Sequence, residues 1–161
     1  MTDRKIKILP SIYLLFVGLL MTSCAGNVVF TDSVAMPDNT WNLENPAIFR
    51  VPVDDTTSNN NINFTIRAGS SYPFRNLYLF VSTTSPEGKI VTDTLHYYLS
   101  NEKGEWYGKG SMDIHEIKLN YKTNVFFPVR GIYEIKVQHG MRTTGLKGVY
   151  DFGIRIEKTG K

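Results

Sequence analysis

Tyr150-Asp151-Phe152-Gly153-Ile154-Arg155-Ile156-Glu157 is the stretch that decides the fold: Tyr150, Phe152, Ile154 and Ile156 alternate with Asp151, Gly153, Arg155 and Glu157. Successive side chains of a strand point to opposite faces, so this period of two places four apolar residues on one buried face. The same period recurs upstream. Ile62, Phe64 and Ile66 alternate with Asn63, Thr65 and Arg67; Ile117, Leu119 and Tyr121 with Glu116, Lys118 and Asn120; Tyr133, Ile135 and Val137 with Glu134, Lys136 and Gln138. Val91, Asp93, Leu95, Tyr97 and Leu99 share one face of a further strand. Leu77-Tyr78-Leu79-Phe80-Val81 is apolar on both faces, which predicts a central strand covered on two sides.

Turn chemistry divides these runs. Ser85-Pro86-Glu87-Gly88 and Asn101-Glu102-Lys103-Gly104 read as turns, as does Pro37-Asp38-Asn39 ahead of Trp41. Ile48-Phe49-Arg50-Val51-Pro52-Val53 is a possible strand, confined to a sheet edge or a strand end because Pro52 has no N–H to give a ladder. Residues 54–61 are polar throughout and predict a solvated loop. Sustained helical periodicity is absent, with only a short helical turn left open at residues 113–116 or 141–144. The expectation is an all-β fold, an antiparallel β-sandwich of about eight strands.

The start of the chain follows a different logic. Arg4, Lys5 and Lys7 precede an uncharged apolar run over residues 8–20, shorter than the ~20 residues a spanning helix needs. Met21-Thr22-Ser23-Cys24 then resembles a bacterial lipobox, whose cysteine becomes the acylated N-terminus; Cys24 is the one cysteine of the chain. Two or three acyl chains anchor firmly, each buried CH₂ contributing roughly 0.8 kcal/mol. The division expected is a cleaved lipoprotein signal peptide at residues 1–23, an acylated tether at 24–27 and a single β-sandwich domain at 28–161. Removing the signal takes three bases and one acid from the 18 Lys+Arg and 15 Asp+Glu, leaving a net charge of +1. A surface so nearly neutral argues against nucleic acid as a partner. With Cys24 carrying lipid, no disulfide is available and packing must hold the domain.

Few residues of the chain carry a chemical signature. His96, His115 and His139 are isolated, without zinc spacing, and read as partly exposed strand histidines; no GxSxG elbow occurs. Tyr107-Gly108-Lys109-Gly110-Ser111 lacks the spacing of a phosphate loop and reads as a glycine-rich loop. The expectation is a protein that is not an enzyme and needs no metal or cofactor. Two features suit partner contact. Trp41, Tyr72, Trp106 and Tyr107 lie on or beside loops, where aromatics stack on sugars, anchor partners or fold back to cap a sandwich. The connector at residues 141–148 opens with Met141-Arg142, a pairing common at protein contacts, though it reads equally well as a turn. Trp106, Tyr107, Met141 and Arg142 are therefore the candidate contact residues.

Several ordered motifs carry a family resemblance. They are Tyr72-Pro73-Phe74-Arg75-Asn76, Thr84-Ser85-Pro86-Glu87-Gly88, Gly104-Glu105-Trp106-Tyr107-Gly108-Lys109-Gly110, Phe127-Pro128-Val129-Arg130-Gly131, and the closing run from Met141-Arg142 to Lys158. Together with the lipobox they resemble the gliding-motility lipoprotein H family of the Bacteroidetes over most of the mature chain. The resemblance implies a cell-envelope lipoprotein needed for gliding and for the type IX secretion machinery, with other lipoproteins or envelope proteins of those systems as partners. That family has no established catalytic or ligand-binding residues, so Cys24 alone carries over. Surface-displayed lipoproteins of these bacteria carry export residues just after the cysteine, whereas Ala25-Gly26-Asn27-Val28-Val29 is uncharged. The domain is accordingly expected on the periplasmic side of the outer membrane. Asp32-Ser33-Val34, Asp55-Thr56-Thr57 and Asp93-Thr94-Leu95 resemble the short O-glycosylation sites of the same bacteria. The functional expectation is a non-enzymatic scaffold for motility and secretion; the alternative is a periplasmic glycan- or peptidoglycan-binding module built on the loop aromatics.

Overall fold

A computed structural model describes residues 27–159, so the expected signal peptide, Cys24 and most of the expected tether lie outside the described residues. Eleven strands run in chain order: β1 Val28–Ala35, β2 Thr40–Asn42, β3 Ala47–Val53, β4 Asn60–Gly69, β5 Asn76–Thr84, β6 Ile90–Tyr98, β7 Lys109–Ser111, β8 Ile114–Val125, β9 Gly131–His139, β10 Gly145–Lys147 and β11 Val149–Lys158. One sheet has the order β1-β11-β4-β8-β7 and the facing sheet the order β3-β9-β5-β6, while β10 and β2 form a short pair. All pairings are antiparallel. The fold is the expected all-β antiparallel sandwich. Of its eight long strands, β4, β6, β8, β9 and β11 are those marked by alternation, β3 and β5 were expected on their proline and two-sided apolar patterns, and β2, β7 and β10 are three-residue additions.

The inner faces of the two sheets meet in one core. Phe49, Phe64, Ile66, Leu77, Leu79, Ile135, Phe152 and Ile156 are all fully buried in it. At its centre Phe152 packs 4.8 Å from Trp41 and 5.2 Å from Phe64 between ring centroids, and Phe64 stacks on Tyr121 at 4.9 Å. Trp41 reaches this position from the short β2 strand and is wholly buried, its indole N–H donating to the Asn45 carbonyl at 3.1 Å. Pro52 sits on β3, an edge strand, where its missing N–H leaves no gap in a ladder.

Several local expectations are corrected. β5 has strands on both sides within its sheet but is covered on one face only: Leu77, Leu79 and Val81 point inward, whereas Tyr78 and Phe80 are 40% and 50% exposed. The β11 alternation breaks at Tyr150, where Val149 pairs with Ala68 and Asp151 with Arg67, leaving Tyr150 as a bulge and Val149 as the buried residue. The polar stretch at residues 54–61 ends early, because Asn60 and Asn61 already belong to β4 and Asn60 is buried. That loop is closed by Asp55, which accepts from the backbone N–H and hydroxyl groups of Thr57 and Ser58 and pairs with Lys158 at 2.7 Å. Neither 113–116 nor 141–144 is helical; the one short 3₁₀ turn among the described residues is Pro37–Asn39.

Candidate functional site

Trp106 and Tyr107 lie in the return of a small hairpin that follows β6. Asn101 N–H donates to Glu105 O, Tyr107 N–H to Leu99 O, and Gly104 makes the turn at φ +81°. The two aromatics then part company. Trp106 folds back, its ring stacked on His115 at 5.2 Å and 11° and lying 6.2 Å from Tyr72. Tyr107 points the other way and is 63% exposed. Tyr72 is buried, its hydroxyl donating to Asn76 O at 2.7 Å, and burial pushes its pKa above the ordinary tyrosine range. Trp41 and Tyr72 are thus core residues and Trp106 is half-buried, so these rings do not form an exposed row.

The glycine-rich run after Tyr107 is not a loop. Lys109, Gly110 and Ser111 are the strand β7, paired with Glu116, His115 and Ile114 of β8. A Cβ on Gly108 would collide with the Glu116 carbonyl, and one on Gly110 with that of Ile114. Glycine is therefore what lets β7 close onto the sheet.

Met141 and Arg142 follow β9 and lead into β10, which pairs with β2 and so ties the connector to Trp41. The Met141 thioether accepts a hydrogen bond from Tyr78 N–H at 3.3 Å. Together with Phe74, Tyr78 and Gly140 these two residues line a recess of about 420 Å³. The recess continues into aromatics that sequence reasoning assigned to a covered strand or passed over. On the outer face of β5 and β6, Tyr78 stacks on His96 at 4.2 Å, His96 meets Tyr98 edge-on at 4.9 Å, and the Arg75 guanidinium lies 5.1 Å from the Tyr98 ring centroid. Phe80, Phe74 and Tyr98 are exposed beside them. This face has the make-up of a contact surface, large aromatics and arginine with flexible methionine at the rim. The signal that finds it is the second, even-numbered apolar set of β5 (Tyr78, Phe80) aligned with that of β6 (His96, Tyr98).

The other candidates fall apart in space. His96 is in the aromatic face, His115 is half-buried under Trp106, and His139 is fully buried at the end of β9 rather than partly exposed. Among the described residues no group of three or more His, Cys, Asp or Glu side chains converges as a metal site. Asp93 is held below the usual carboxylate range, first by the Tyr121 hydroxyl at 2.7 Å and then by Lys122 at 2.9 Å. Tyr97 donates to Asn120 O at 2.6 Å, and burial pushes it up to about 12. These contacts pin β6 over β8 and belong to the architecture. Of the three tripeptides, Ser33 and Thr94 are exposed on strands and Thr56 is half-buried in the loop that Asp55 closes.

The chain is 35% identical over 152 residues to the gliding motility lipoprotein GldH of Flavobacterium johnsoniae, covering 90% of this chain and 94% of that one. It is 33% identical over 152 residues to a gliding motility lipoprotein GldH homolog of Christiangramia forsetii, covering 90% and 93%. Among solved structures, a chain from infectious bursal disease virus Gx strain aligns at 12% identity and a TM-score of 0.29, covering 82% of this chain and 34% of that one; at that score the likeness carries no inference. The GldH lipoprotein family profile matches residues 28–156, from the first strand to the last buried residue of β11, and the chain belongs to the GldH lipoprotein family.

Proposed function

We propose that this GldH-family lipoprotein is anchored through Cys24 in the outer membrane, faces the periplasm, and serves gliding motility and the associated type IX secretion as a non-enzymatic scaffold. Its partners are other lipoproteins or envelope proteins of those systems. The observation that carries this reading is the outer face of β5 and β6, where Tyr78, Phe80 and Tyr98 stand exposed with Arg75 and the Met141–Arg142 rim. An exposed aromatic and arginine cluster is what a protein partner desolvates as a hot spot. The glycan-binding alternative needs rings presenting open faces in a row. Trp41 and Tyr72 are buried, Trp106 is stacked on His115, and Tyr78 is stacked on His96.

The test is to replace Tyr78 and Phe80 by serine in cells. Both side chains point away from the core, so the thermal midpoint should stay near that of the wild type while gliding and secretion fail. Normal gliding and secretion by a folded, membrane-bound variant refute the scaffold face. Sedimentation of the purified lipoprotein with sacculi tests the alternative, and co-sedimentation that survives the double serine variant favours a glycan. Added protease should spare the protein in intact cells; rapid cleavage places it on the outer surface instead.

A further inference from the structure

We propose that β6 is an interface strand through which two copies of this chain join edge to edge, merging their β3-β9-β5-β6 sheets into one continuous sheet. This goes beyond the scaffold reading, and only its membrane argument rests on the Cys24 anchor proposed above. A free edge offers unpaired N–H and C=O groups to any extended chain, and proteins blunt such edges with short strands, proline, lysine or bulges. The other edges carry these devices. β1 has a bulge between Val28 and Phe30, β3 carries Pro52, and β7 is three residues long. The part of β8 that β7 leaves uncovered holds Lys118 and Lys122 and two register irregularities. β6 carries no proline, lysine, bulge or shortening; its one blunting residue is the inward-facing Asp93, whose charge the Tyr121 hydroxyl and Lys122 already match. All nine of its residues pair with β5 in unbroken register.

The occupant is argued from the strand itself. The edge is bounded at one end by the turn at residues 85–89 and at the other by the hairpin return that brings Tyr107 against Leu99. Antiparallel self-pairing engages all nine residues in a single register, centred on Thr94. That register sets Ile90 against Tyr98, Val91 against Tyr97 and Thr94 against its own copy, the β-branched, aromatic and threonine pairs that stabilise neighbouring strands. Asp93 falls opposite Leu95 and diagonally to the other Asp93, and each of these carboxylates is already matched by its own Lys122 at 2.9 Å.

Where the chain starts supplies an independent argument. The two-fold axis relating antiparallel edge strands is normal to the sheet, so it keeps corresponding faces on the same side. Both copies of the β1-bearing sheet then lie on one side of the joined sheet, and both Asn27 ends lie on that side with them. Two lipid anchors can therefore enter one bilayer. Membrane tethering also raises the effective concentration of copies already facing the same way, which suits a small interface built from one strand.

The experiment uses the full-length lipoprotein in its own envelope. Thr94→Cys places two thiols across the axis at the spacing of directly opposed residues, within disulfide reach. Cys24, the chain's only other cysteine, is expected to be acylated. Mild oxidation should give a reducible band at twice the monomer mass, at least tenfold above that from Ile132→Cys, an exposed position on the same outer face. A band no stronger than that control, or one joining Thr94→Cys to a different protein, overturns the proposal. So does peptide-level mass spectrometry of the wild-type protein showing a glycan on Thr94, which would close the edge. In detergent, Thr94→Lys sets like charges opposite each other and should raise the dimer dissociation constant at least tenfold with the thermal midpoint of the monomer unchanged. An unchanged dissociation constant, or a wild-type protein that sediments as a monomer at every concentration, also overturns it.

Discussion

His139 ends β9 with its imidazole fully buried, 5.7 Å from the Trp41 ring; among the described residues neither ring nitrogen has a partner in good hydrogen-bonding geometry, the backbone of Trp41 offering only a weak polar contact. Burial holds its pKa below the ordinary 6.5, so the neutral ring is the form the fold accommodates. The unfolded chain then takes up the proton first. Stability is complete above pH 6.5 and declines as pH falls from there toward the folded value. His139→Leu should flatten this limb, so that urea midpoints at about pH 7.5 and 5.5 converge, and should not destabilise at neutral pH because two unsatisfied nitrogens leave the core. A midpoint that still falls by the wild-type amount assigns the limb to another group. Asp55, Asp93 and Glu157 have depressed values too, caused first by Lys158, Tyr121 and Arg155 respectively. Their contribution is present above the ordinary carboxylate values of 3.8 and 4.5 and is lost only below them, in a separate window. The period of Tyr133, Ile135 and Val137 continues to residue 139, so the inward aim of His139 was written in the sequence. What the alternation did not convey is that no well-aligned partner waits for it there.

At the scale of elements, the β7–β8 hairpin is the most instructive. Met112 at its turn is 97% exposed and held at φ +59°, a conformation costly for a side chain with a Cβ. Met112→Gly should stabilise the domain by about 0.5–1 kcal/mol, read as a rise of about 2 °C in the thermal midpoint. Gly110→Ala should act in the opposite sense, by about 1–3 kcal/mol, since its Cβ meets the Ile114 carbonyl and β7 must lift away. Tryptophan fluorescence should report that lift, because Trp106 leaves its stack on His115. If Gly110→Ala is neutral, β7 is not held by that close approach. Elements built on alternation, β4, β8, β9 and β11, were legible in the sequence because burial on one face imposes period two. β7 was not, because two glycines in five residues carry no side-chain pattern and its pairing is a backbone event. β5 misled for a different reason. Tyr78 and Phe80 satisfy the pattern of a strand covered on both sides, and that pattern is the same whether the second cover is this chain's own layer or an outside partner. The Tyr150 bulge is likewise silent in sequence, since Val149 and Tyr150 are both apolar enough for the inner face.

For the whole molecule, the anchor and the sandwich are separable in the sequence and should be separable in experiment. Cys24→Ala should leave the β domain folded, with an unchanged unfolding transition, and release it from the membrane fraction together with gliding. Full motility from the soluble form would mean that tethering is dispensable. The domain itself joins its two ends, because β1 pairs with β11 and so carries the start of the chain directly onto its close. None of the β1 side chains is fully buried, with Phe30 and Val34 half-covered and the rest exposed, while β11 beside it supplies Phe152, Ile154 and Ile156 to the core. A pull delivered through the lipid therefore reaches a strand that can peel from its neighbour while the packed interior stays shut. The strand that would meet such a load first is thus the one with the least core to lose.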